Sequence, residues 1–178
     1  CKIYPNSTLQ RENISTYLKG LKSMKTTNNS NLNISEITKM LESFYPFAQE
    51  RMGFDREPSI VFESDLENAK KTLGKTAHYE PASDTITVYV DSRHPKDIMR
   101  SFSHELVHHA QNCDGQFDAP MEMGEGYAQN DEHLRKMEED AYLRGNMAFR
   151  DWEDGYKELG ALQERHERLY YELTRRLW

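Results

Sequence analysis

Residues 102–108 read Phe-Ser-His-Glu-Leu-Val-His, and this His-Glu-x-x-His spacing inside a helical segment constrains the chain more than any other feature. At about 100° per residue, His104 and His108 fall roughly 40° apart on one helical face, with Glu105 on the flank they share. Two imidazoles so spaced can grip one zinc ion, and a carboxylate beside the first is placed to handle the proton of a metal-activated water. The chemistry implied is metal-assisted hydrolysis of a peptide bond. Met99, Phe102, Leu106 and Ala110 gather on the opposite side, giving the helix an apolar back for a core and a polar front for a cleft. Neighbouring Ser103, His109 and Gln111 also fit a plainer reading, a solvated amphipathic helix with incidental histidines.

The 178 residues suit one domain or one compact two-lobed unit with a real core. A formal net charge of -7 argues against a nucleic-acid partner, since phosphate backbones attract Lys/Arg surfaces. No apolar run approaches a membrane span and no signal-peptide core is visible. Two cysteines, Cys1 and Cys113, are too few for a disulfide framework. A soluble protein is expected, cytoplasmic rather than secreted.

Three segments are expected: an N-terminal helical segment over 1–57, a core over 58–152 and a C-terminal helix over 153–178. Leu9, Ile14, Leu18, Leu21 and Met24 predict a helix within 7–25, and the polar run 26–31 reads as a loop or linker. Asn33 or Ser35 is a cap for a second helix with Ile34, Ile37, Met40, Leu41, Phe44 and Phe47 as its apolar stripe. Ser59 to Phe62 reads as a strand, 66–73 as a short helix, and Thr76 to Pro81 with Thr85 to Val90 as a hairpin turning at Ala82-Ser83-Asp84. The arm around Tyr79 is the candidate edge strand, because Pro81 limits further pairing. Such an edge can hold an extended substrate by main-chain hydrogen bonds. Pro95 suits the first turn of the motif helix, which ends at Asn112-Cys113-Asp114-Gly115. A long loop follows, in which Met121, Met123 and Tyr127 are candidate pocket walls, and then a helix over about 131–152 capped by Asn130. A final helix carries Leu159, Leu162, Leu169, Leu173 and Leu177.

A catalytic zinc needs three protein ligands and an open position. The metzincin continuation His-x-x-Gly-x-x-His is excluded, because Gln111 and Asp114 stand at the Gly and third His positions. A glutamate on a later helix is the alternative. Glu138 falls roughly 60° from the centre of the stripe formed by Leu134, Met137, Ala141, Gly145, Ala148 and Trp152, whereas Glu139 is nearly opposite and Asp140 about 100° away. Glu138 is the expected ligand, Glu139 and Asp140 fit a solvated acidic cluster better, and His133 is an off-stripe rival. Small Ala141 and Gly145 would let this helix approach the motif helix closely.

His104-Glu105-x-x-His108 with Glu138-x-x-Ala141 some 30 residues later resembles the gluzincin zinc metallopeptidases, with a hairpin context similar to minigluzincins and, more loosely, ImmA/IrrE-type peptidases. The resemblance covers roughly residues 58–152. It implies zinc on His104, His108 and Glu138, with Glu105 as general base. The implied fold is α+β and zincin-like: a small, mostly antiparallel sheet packed on the motif helix, with additional N- and C-terminal helices. Several gluzincins carry Asp or Asn after Glu-x-x-Ala, where it can orient a ligating histidine; Tyr142 stands there instead. Tyr142, His133, Tyr79 and His78 are candidate donors to a tetrahedral oxyanion, each with packing as its rival role. The expected partner is a peptide or protein substrate, with neither nucleic acid nor membrane. Two other classes stay open: a catalytically silent zinc-bearing binding or sensor module, and a helical interaction protein.

Overall fold

The computed structural model describes residues 24–118 and 127–175. The helix expected within 7–25 lies outside them except for Met24 and Lys25, as do Met121 and Met123. In chain order the elements are β1 (Thr26–Asn28), α1 (Ser35–Met52), β2 (Ser59–Glu63), α2 (Leu66–Ala69), β3 (Ala77–Glu80), β4 (Thr85–Tyr89), α3 (Pro95–Cys113) and α4 (Tyr127–Arg175). The fold is α+β, with four strands ordered β1-β2-β4-β3.

The sheet is mixed rather than mostly antiparallel. β3 and β4 form the expected hairpin, but β1 pairs parallel with β2, and β2 parallel with β4. The connection from β2 runs through α2 and β3 before β4 returns beside β2, which puts β3 on the outer edge. β1 occupies residues expected as a loop. Its Thr-Thr-Asn carries no apolar alternation, and main-chain bonds hold this end of the sheet: Ile60 N–H donates to Lys25 O at 2.8 Å and Asn29 N–H to Phe62 O at 2.9 Å. At the hairpin turn Asp84 takes φ 48°, a left-handed conformation that Asp tolerates better than most residues.

Alternation on β2 and β4 sends Ile60, Phe62, Ile86 and Val88 to one face, all fully buried. α1 adds Ile37, Leu41, Phe44 and Ala48 at helical spacing, is entered through Asn33, whose Oδ1 accepts from Ser35 N–H, and ends at Gly53 with φ 80°. Phe44 is the hub of the helical core, meeting Phe102, Phe149 and Trp152 edge-on at 6.3, 6.1 and 5.5 Å between centroids. Edge-to-face pairs add about 0.5–1.5 kcal/mol each beyond the area they bury.

Met99, Phe102, Leu106 and Ala110 form the buried back of α3 as expected. The solvated-helix alternative fails on its other side, because Ser103, His109 and Gln111 are also fully buried. α3 is enclosed by the sheet, α1 and α4. α4 is one continuous helix through residue 152 rather than two, and Gly155 and Gly160 do not interrupt it. Met137, Ala141, Ala148 and Trp152 bury its inner stripe, while Leu134 is half-exposed at the cleft. No helix of the described residues is long and apolar enough to cross a membrane.

The two long helices run antiparallel, with Gly145 facing Ser103 and His104, and Gln111 facing Met137 and Asp140. A Cβ on Gly145 would lie 3.0 Å from His104 Cα and 3.2 Å from the Ser103 carbonyl carbon. Ser103 Oγ–H donates to Gly145 O at 2.7 Å across this contact. In urea titrations Gly145→Ala should therefore lose about 1–3 kcal/mol to overpacking, more than the roughly 1 kcal/mol that alanine gains in helix propensity. Gly160→Ala, whose methyl meets nothing within 4 Å, should be neutral or mildly stabilising. Equal gains for both variants would disprove the close approach.

Candidate metal centre

α3 carries His104 and His108 one turn apart, and their rings meet at 79° with centroids 4.9 Å apart. Their Nε2 atoms are 3.2 Å from each other. α4 brings Glu138 over them, with Oε2 3.1 Å from His104 Nε2 and Oε1 3.3 Å from His108 Nε2. Ligand atoms about 2.0–2.2 Å from a tetrahedral ion are separated by about 3.3–3.6 Å, and each pair among the three side chains makes one approach of 3.1–3.3 Å, the carboxylate meeting the two imidazoles through different oxygens. His104, His108 and Glu138 could together hold a metal ion. Burial and the neighbouring His108 push the His104 imidazole below its ordinary pKa, against the opposing pull of Glu138. That shift favours the neutral ring that ligation requires.

Glu105 stands on the same turn as His104 and is 8% exposed. Burial, with the Glu138 carboxylate adding to it, pushes its carboxyl up to about 7. Two recesses meet at His104 and Glu105. One, of about 370 Å³, is lined by Tyr79, Phe117, Leu134 and Met137 among others. The other, of about 320 Å³, is more polar and includes Arg93, Arg100, Ser101 and Asn146. Arg93 is fastened to its own side of the cleft, donating to the Thr76, Tyr89 and Asp97 carbonyls and to Ser101 Oγ.

The remaining sequence candidates scatter around this centre. Tyr142 packs edge-on against His104, centroids 4.8 Å apart, and borders the polar recess. His78 is exposed on β3 beside the larger recess. Tyr79 also lines that recess, but its hydroxyl is committed elsewhere: it lies 2.8 Å from Asp84 Oδ1 and 3.0 Å from His109 Nδ1, and accepts from Asn112 Nδ2 at 2.8 Å. His133 is outside the cluster, its Nε2–H donating to Gln116 O at 2.9 Å and tying α4 to the turn after α3. Glu139 is exposed, as expected, whereas Asp140 is not simply solvated: it accepts from Gln111 Nε2 at 3.0 Å and from Arg144 Nη1 at 3.1 Å.

The residue missed in the sequence is Gln111. Its Oε1 lies 2.8 Å from His108 Nδ1, and its Nε2 also donates to Met137 O at 3.0 Å. The i, i+3 spacing from His108 on one helix was the available signal. The bonds to α4 had none, because they span 26 and 29 residues.

The chain matches no protein-family model, no curated protein and no solved structure. Elemental analysis after dialysis against zinc should find about one ion per chain in the parent and in Glu139→Ala, and a loss of at least tenfold in affinity for Glu138→Ala. Equal zinc uptake by Glu138→Ala would remove Glu138 from the ligand set.

Proposed function

We propose that this protein is a zinc metallopeptidase of the gluzincin type, hydrolysing peptide bonds in peptides or proteins. The observation that carries the reading is the convergence of His104, His108 and Glu138 at metal-ligand separations, with the Glu105 carboxyl buried beside them at an open cleft. Two imidazoles and one carboxylate are the donor set of a hydrolytic zinc site, which keeps a fourth position for water or substrate. When bound, zinc supplies Lewis acidity, acidifying a water and polarising the scissile carbonyl.

The residues of the chain do the rest. Glu105 takes a proton from the attacking water as its oxygen bonds to the carbonyl carbon, and returns that proton to the amide nitrogen as the C–N bond breaks. The second water proton passes from the new carboxylic acid to the released amine, so the products are a carboxylate and an ammonium group. Beside a dication the ionised form of Glu105 is favoured over the state that burial alone would give. β3 is the terminal strand of the sheet and borders the larger recess, so an extended substrate can add along its outer edge by main-chain hydrogen bonds. The Tyr142 ring packs edge-on against His104 from the other side, and Tyr142 borders the polar recess as a candidate donor to the oxyanion.

Glu105→Gln should keep its zinc while losing casein or peptide hydrolysis by about 10²–10⁴-fold, the usual weight of a general base. Hydrolysis at the parental rate would overturn the mechanism. A full complement of zinc with no turnover by the parent on varied peptides would instead favour a silent zinc-bearing module. A zinc:protein ratio near zero would favour a helical interaction protein.

A further inference from the structure

The orientation of the Gln111 carboxamide is dictated by what surrounds it. Its Nε2 faces Met137 O and Asp140 Oδ2, each at 3.0 Å. A backbone carbonyl only accepts, and so does an ionised carboxylate, so the amide NH₂ must point at α4. That leaves Oε1, an acceptor, 2.8 Å from His108 Nδ1. The flipped amide would set its oxygen against two other oxygens in a fully buried site. His108 Nδ1 must therefore carry the hydrogen and donate it, and the neutral ring then presents a lone pair at Nε2, the atom facing His104 and Glu138.

The same carboxamide acts on the third ligand. Met137 and Asp140 bracket Glu138 on α4, so the two bonds from Nε2 pin the turn from which the Glu138 side chain reaches the histidines. Asp140 is steadied in turn by Arg144, which also donates to Met52 O at the end of α1.

We propose that Gln111 is a positioning residue that sets the tautomer of His108 and the placement of Glu138 together, coupling ligands on two helices through one side chain. The inference rests on the metal-centre reading above, but it has a readout that needs no metal. In the metal-free protein, at a pH where the histidines are neutral, ¹⁵N–¹H correlation spectra should show His108 as the Nδ1–H tautomer. Gln111→Leu should lose that preference and bind zinc about 10–100-fold more weakly, the usual cost of removing a partner behind a ligating histidine. Gln111→Glu keeps an acceptor for His108 but turns a carboxylate towards Met137 O and Asp140. It should retain the Nδ1–H tautomer and still lose zinc affinity, which separates the two roles; this variant carries the test if Gln111→Leu does not fold.

An Nε2–H tautomer in the parent, or parental zinc affinity in both variants, would overturn the proposal while leaving the metal centre intact. A parent with the Nδ1–H tautomer that takes up no zinc would support the orientation argument and defeat the metal reading instead.

Discussion

The backbone-to-backbone approach of α3 and α4 at Gly145 is the contact on which the candidate site depends. Without a side chain at that position, the carbonyl of Gly145 comes within hydrogen-bonding reach of Ser103 on the facing helix. Glu138 lies seven residues earlier, two turns along the same face, or about 10 Å. A carboxylate on a helix held further out would not reach both Nε2 atoms. The small inner residues of α4, Ala141 and Gly145, are thus as much part of the candidate centre as His104, His108 and Glu138, although neither touches these three through a functional group.

Burying α3 on nearly every side creates a second demand. A helix with serine, glutamate, two histidines and glutamine in the interior must find partners for them, because an unpaired buried polar group costs about 1–3 kcal/mol. Ser103 is paired with Gly145, His109 with the Arg56 carbonyl and Tyr79, and Gln111 with Met137 and Asp140. These bonds fix the helix against β3 on one side and α4 on the other. The helix that carries His104 and His108 is thereby held in place by polar groups that a buried helix would otherwise find costly.

Much of this was legible because it is local. Met99, Phe102, Leu106 and Ala110 follow from the helical period, the hairpin at Asp84 from its turn residues, and Glu138 from its angle to the apolar stripe of its own helix. What was not legible involves partners far apart in the chain. β1 is three polar residues whose only signal is main-chain pairing with β2, 34 positions away. The parallel pairing of β2 with β4 depends on where β3 is placed, and the burial of Ser103, His109 and Gln111 on what covers α3. Each of these is a property of the packed assembly rather than of any window of residues.

The sequence by itself determined that His104, Glu105 and His108 share one face of a helix and that Glu138 leans inward on another, because helical geometry converts spacing into direction without reference to anything else. Only the tertiary structure decided that the two faces meet at separations of about 3 Å, that the Tyr79 hydroxyl and His133 are engaged elsewhere, and that Gln111 stands behind His108. Convergence of groups on separate elements depends on crossing geometry and packing distance, and these are set by the whole core at once.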